Sequence, residues 1–188
     1  MQNIVSHFYI SKIKGGINFM NKPRIIIDSY EPRSKIEHIT SVFDRYKVEY
    51  SKTRLVVGDY MNPDKPHIVI ERKKSLLELA VNLSYKDKER FRRELERAKE
   101  MGVHVVILIE DGNYQQLDDL EGLTECTLLA GVKDIVRRST IARNTIKPEE
   151  LYKKLKALIK WYGVEIQFCN PADTGIRIID ILFDEDVY

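Results

Sequence analysis

Cysteine is nearly missing from this sequence. The two present among 188 residues, Cys126 and Cys169, stand far apart, which excludes a disulfide framework and a Cys-x-x-Cys metal pair and points to a reducing compartment. No apolar run approaches the roughly 18 residues of a membrane-spanning helix. The opening Met1-Gln2-Asn3-Ile4-Val5 lacks the charged-then-apolar plan of a secretory leader, so a cytoplasmic protein is expected. No Gly-x-x-x-x-Gly-Lys-Ser/Thr loop occurs, which excludes a P-loop helicase half and leaves no reason to expect a nucleotide cofactor. Net charge is small as well, at +2, too little to argue for nucleic acid as a whole. Its distribution is uneven. Thr124 to Lys160 carries nine Lys or Arg against four acids, and Gly163 to Tyr188 carries six acids against Arg177. A basic region facing phosphate and an acidic tail held away from it would fit those figures, and so would a solvated helix face.

What is present is enough apolar material for one globular domain, 43% hydrophobic against 32% charged. Residues 1–22 alternate weakly around Gly15-Gly16 and read as an extension or added edge strand, with the domain proper over 23–188. Arg24 to Asp28 reads as a first strand, with Asp28 at its carboxyl end, where ligands collect in open sheets. Ile36, Ile39, Val42 and Phe43 recur at helical spacing from Ser34, a candidate N-cap, to Tyr46. Val48 and Tyr50, then Leu55 to Val57, read as strands. Phe91, Leu95 and Ala98 form one stripe of a highly charged helix in which Glu89 and Arg93 are spaced to pair. Val103 to Ile109, apolar apart from His104, reads as a buried parallel strand, and Glu110-Asp111 after it reads as a loop cap. Leu151, Leu155, Leu158, Ile159 and Tyr162 stripe a helix opened by Pro148 and closed by Gly163. The last helix, begun by Pro171, is apolar over a broad arc from Ile176 to Phe183, wide enough to bury one side internally and another against a second copy.

The chemistry gathers around Gly58-Asp59-Tyr60 and His67-Ile68-Val69-Ile70-Glu71-Arg72-Lys73. An apolar strand ends abruptly in three charges, and alternation puts Glu71 and Lys73 on one face with Arg72 on the other. The turn-forming Asn62-Pro63-Asp64-Lys65-Pro66 folds the strand of Asp59 back as a hairpin partner, while Gly58 permits a bulge that aims the acid. Two carboxylates with a lysine beside them suit Mg²⁺, which keeps several waters and shares its shell with substrate phosphate. This is the minimal equipment of a metal-dependent phosphodiesterase. Farther on, Lys133, Arg137, Arg138, Arg143 and Lys147 lie among Ser139, Thr140 and Asn144, a mixture suited to tracking a DNA backbone.

The order Gly-Asp-Tyr, apolar strand, Glu-Arg-Lys and leucine-rich helix resembles the XPF-type nuclease domain, a branch of the PD-(D/E)XK nuclease superfamily. Ile25-Ile26-Ile27-Asp28-Ser29-Tyr30-Glu31 looks like its Asp-x-Arg-Glu signature, and Glu89-Arg90-Phe91-Arg92-Arg93-Glu94-Leu95 like its Arg-Phe helix. Two positions depart: Tyr30 replaces an arginine, and the acid expected after Glu-Arg-Lys falls on Leu77, with Glu78 one place later. The resemblance implies a restriction-endonuclease-like α/β fold, a mixed central sheet flanked by helices on both faces. It also implies endonucleolytic hydrolysis of branched or structured DNA in repair or recombination, leaving a 5′-phosphate and a 3′-hydroxyl. Asp59, Glu71 and the backbone carbonyl of Arg72 would hold Mg²⁺, with Mn²⁺ as a substitute, and Lys73 would orient the attacking water. Asp28, Glu31 and Glu78 are auxiliary acids on this reading, and Arg72, Lys74, Arg90, Arg93, Arg137, Arg138 and Arg143 are DNA contacts. A homodimer is the implied assembly. The alternative from the same resemblance is a catalytically silent DNA-binding scaffold, for which Tyr30 and Leu77 speak.

Overall fold

The structure is a computed structural model, and it describes residues 22–84, 87–129, 132–134, 140–141 and 145–184. Arg137, Arg138 and Arg143, and the extension expected over 1–22 except Lys22, lie outside these. Among the described residues six strands are hydrogen-bonded in the order β2-β1-β3-β4-β5-β6. They are β1 (Arg24–Asp28), β2 (Glu49–Thr53), β3 (Tyr60–Met61), β4 (Ile68–Lys73), β5 (His104–Glu110) and β6 (Glu165–Cys169). The sheet is mixed: β1 runs parallel to β2 and antiparallel to β3, β3 antiparallel to β4, and β5 parallel to β6. Contacts group the chain into two units, residues 1–70 with 172–188 and residues 71–171, so the boundary falls inside β4. Among the described residues no helix is long and apolar enough to cross a membrane.

In the first unit, α1 (Arg33–Arg45) connects β1 to β2 and buries Ile36, Ile39, Val42 and Phe43, the stripe its spacing predicts. Its N-cap is Pro32 rather than Ser34, with no side-chain cap bond. Proline lacks a donor but fits the extended conformation preceding a helix, which starts the helix two residues earlier than the serine rule suggests. Tyr60, wholly buried, meets the ring of Phe43 edge-on at 6.5 Å. The last helix of the chain, α6 (Thr174–Phe183), packs on α1 through Gly175, where a Cβ would stand 2.6 Å from that of Val42. Of its broad apolar arc, Ile176 and Phe183 at the two ends are half-buried, while Ile178, Ile179, Ile181 and Leu182 are buried within the chain. Asp180 is buried with them at 5% exposure, and among the described residues neither carboxylate oxygen receives a hydrogen bond. Burial raises its pKa to about 7, against the pull of Arg177 at 3.6 Å and with a push from Asp184.

The strand expected over Leu55 to Val57 does not form; Val56 is 58% exposed. The Leu55 amide donates to a side chain, Asp28 Oδ1 at 2.9 Å, instead of to a strand ladder, and Gly58 then turns the chain through φ +74°.

In the second unit, the buried end of β4 leads into α2 (Leu76–Asn82) and α3 (Lys88–Glu100), and α3 buries Phe91, Leu95 and Ala98 as its pattern predicts. Glu89 pairs with Arg92 at 2.8 Å, one residue short of the expected Arg93. After β5, a 3₁₀ turn (Leu117–Leu120) and α4 (Glu125–Leu128) precede α5 (Pro148–Tyr162). Proline starts α5, and Gly163 in the left-handed region, φ +65°, ends it. Leu151 and Leu155 are buried, whereas Ile159 emerges at 39% exposure and Trp161 at 62%, so the predicted stripe is core only over its first half.

Candidate active site

In the first unit the Asp59 acid sits at a break in strand geometry. Its amide donates to the Ile70 carbonyl on β4 at 2.7 Å, while its own carbonyl accepts from the Asp28 amide on β1 at 2.8 Å. In a regular strand the N–H and C=O of one residue point to the same neighbour, so β3 is bulged here and the side chain is re-aimed. The bulge requires glycine before it: a Cβ on Gly58 would stand 3.0 Å from that of Val69 and 3.1 Å from the Ile70 carbonyl. The hairpin turn is built as its composition suggests. Asn62 Oδ1 accepts from the Asp64 amide at 2.9 Å, and the Asn62 carbonyl accepts from that of Lys65 at 3.0 Å. The turn is anchored on α6, with Asn62 Nδ2 donating to the Leu182 carbonyl at 3.1 Å and Lys65 Nζ to that of Asp184 at 2.6 Å.

Asp28, buried at the end of β1, accepts the Leu55 amide on Oδ1 and the Tyr30 amide on Oδ2 at 3.2 Å. Its carboxylate thus ties the exits of two strands together. The Glu31 carbonyl accepts from Lys52 Nζ. Tyr30 itself is exposed, with the Arg54 guanidinium 4.1 Å from its ring centroid.

In the second unit, Glu71, Arg72 and Lys73 are 8%, 5% and 5% exposed. Alternation along β4 separates them as the period of two requires. Lys73 Nζ donates to Glu71 Oε1 at 2.6 Å and lies 5.0 Å above the Phe91 ring of α3. Arg72, by contrast, is expected to reach DNA through its side chain. It is buried instead, its guanidinium 3.0 Å from Glu110 at the end of β5. Glu110 therefore holds a core ion pair, while the loop-capping part falls to Asp111 alone, which accepts from the Asn113 amide at 3.2 Å. Glu78 closes the start of α2: Ser75 Oγ accepts its amide at 3.2 Å, and its carboxylate accepts the Lys74 amide at 2.9 Å. Lys74, Arg90 and Arg93 are exposed, and among the described residues neither Arg90 nor Arg93 makes an ion pair. Sequence spacing marked Phe91 only as core; its contact with Lys73 depends on how α3 packs and carries no local signal.

Among the described residues no group of three or more His, Cys, Asp or Glu side chains could hold a metal ion. A protein share of two carboxylates with a backbone carbonyl still fits magnesium, whose remaining positions go to water and phosphate oxygen.

A family model, the ERCC4 domain, matches residues 27–182. The chain belongs to that family. The matched span of the ERCC4 domain runs from β1 to α6 and includes Asp28, Asp59, Glu71, Lys73 and Phe91. Among solved structures the chain is similar to XPF from Aeropyrum pernix, with a TM-score of 0.56 and 21% identity over 85% of this chain and 63% of that one. It is similar also to the same protein's complex with DNA, with a TM-score of 0.55 and 22% identity over 86% and 64%. This chain therefore matches less than two thirds of those chains, and at such identity the likeness establishes the fold. No curated protein matches the sequence.

Proposed function

We propose that this ERCC4 domain is a metal-dependent endonuclease that cuts branched or structured DNA in repair or recombination. The observation that carries the reading is Lys73, bonded to Glu71 at 2.6 Å inside a nearly water-free strand end. Such a buried pair adds little stability over apolar residues of equal volume, which makes a chemical role the better account of it. The Asp59 amide is bonded to the carbonyl of Ile70, the residue before Glu71. The motif order within the family match supports assigning Asp59, Glu71 and the Arg72 carbonyl to a magnesium or manganese ion. When bound, the ion would neutralise charge developing on the scissile phosphate and acidify a water. Lys73 donates a hydrogen bond to the attacking oxygen, Glu71 fixes the ammonium, and Phe91 excludes water beneath it. The products on this reading carry a 5′-phosphate and a 3′-hydroxyl. Pairing of two copies belongs to the same reading.

The test is cleavage of labelled duplex, flap, fork and four-way-junction DNA with Mg²⁺, Mn²⁺ or EDTA. Lys73→Ala and Asp59→Ala are expected to lose about a hundredfold or more in rate per folded molecule, the folded fraction being followed by circular dichroism because Lys73→Ala leaves the Glu71 carboxylate buried without its ammonium. Cleavage retained by Lys73→Ala removes the assignment. Tight binding without cutting under either metal makes the domain a scaffold.

A further inference from the structure

We infer that Tyr30, backed by Arg54, is a stacking platform for an unpaired nucleobase of DNA at the Asp28–Asp59 edge of the site, an inference that rests on the DNA-cleaving reading above. Tyr30 is 74% exposed, the highest value among the exposed large apolar side chains of the described residues. It is nevertheless held in place. Its amide donates to Asp28 Oδ2 at 3.2 Å, and the same carboxylate fixes the Leu55 amide, next to Arg54, at 2.9 Å. The Ser29 amide donates to the Thr53 carbonyl at 3.1 Å, and Lys52 Nζ to the Glu31 carbonyl. One carboxylate and two further bonds thus lace the segments on either side of the ring and the guanidinium.

Arg54 lies 4.1 Å from the ring centroid and covers one face. At 74% exposure the ring retains a second, solvent-facing surface. An exposed cation–π pair contributes little to folding; the bonds that tie the two strand exits together also fix where the ring and the guanidinium stand. An aromatic face next to a cation matches the chemistry of single-stranded nucleic acid, base on ring and phosphate on guanidinium. Arg33, Lys35 and Lys52 are exposed on the neighbouring segments and extend the phosphate-attracting surface. In intact duplex the bases are stacked on one another and offer no free face, so the platform selects DNA with unpaired nucleotides beside the cut.

The experiment places 2-aminopurine in turn at each unpaired position of a fork and measures fluorescence and anisotropy with the full chain in EDTA, beside a blunt duplex. The native protein and Tyr30→Phe are expected to quench the probe at one or two unpaired positions. Tyr30→Leu loses the quenching and about tenfold in fork affinity, with duplex affinity unchanged. Arg54→Gln weakens fork binding in the same direction. Thermal melting confirms that each variant is folded. Quenching by Tyr30→Leu equal to native, or equal weakening of fork and duplex, overturns the platform while leaving the nuclease reading intact. Absence of any DNA binding by the native chain overturns both.

Discussion

Arg72 and Lys73 are adjacent, equally buried and equally charged, yet their side chains have different work. Arg72 meets Glu110 at 3.0 Å in the core, and Lys73 meets Glu71 and the Phe91 ring. The Glu71–Lys73 pair was legible because a strand's period of two puts i and i+2 on one face. The partner of Arg72 was not, since nothing in the local spacing says which residue of β5 faces it. A third buried charge behaves differently. Asp180 has a folded-state pKa near 7, raised mainly by burial, while an exposed aspartate titrates near 4. The native state thus keeps a proton that the unfolded chain gives up between those values. Stability should fall as pH rises from about 4 to about 7 and stay low above that range. Asp180→Asn is expected to raise unfolding stability by on the order of 1–3 kcal/mol at pH 8, with the gain shrinking toward pH 4. Urea unfolding at pH 8 and pH 5 checks this, and an equal gain at both would show that the charge is not the cause.

At the scale of elements, the β3–β4 hairpin was readable from its turn residues, and α1 and α3 from their apolar stripes. The extent of β3 was not. Leu55, Val56 and Val57 have strand-forming side chains, but the Asp28 carboxylate takes the Leu55 amide and Gly58 adopts φ +74°, so local propensity loses to two specific contacts. Ser34 and Arg93 failed for a similar reason: cap and ion-pair rules allow nearby residues to compete, and Pro32, two places earlier, and Arg92, one place earlier, prevail. The bulge makes its own prediction. Gly58→Ala must place a Cβ against Val69 at an unfavourable φ, which should destabilise by about 1–3 kcal/mol and displace Asp59. Cleavage is expected to fall further than the loss of folded protein accounts for, by comparison of specific activity with the fraction folded by circular dichroism. Activity proportional to the folded fraction would mean that Asp59 does not depend on the bulge.

At the scale of the whole molecule, the family match over residues 27–182 agrees with the mixed α/β plan read from the chain, while the net charge of +2 gave little hint of nucleic acid. Local charge matters more. Arg90 and Arg93 stand exposed on α3, the helix whose Phe91 meets Lys73. Replacing both with alanine should weaken DNA binding uniformly across sequences and flatten the plot of log affinity against log salt by about 1–2 in slope. An unchanged slope in a fluorescence titration would take α3 out of the DNA-binding surface. The anchoring of the hairpin has a further consequence, for the order of events during synthesis. Asn62 and Lys65 fasten the turn beyond Asp59 to carbonyls 120 and 119 residues later in the chain. On a ribosome that adds roughly 5–20 residues each second, β3 emerges many seconds before its mooring on α6 exists. The nascent chain therefore carries Asp59 before the anchors of its hairpin turn exist, and the turn is fastened only after Leu182 and Asp184 have left the exit tunnel.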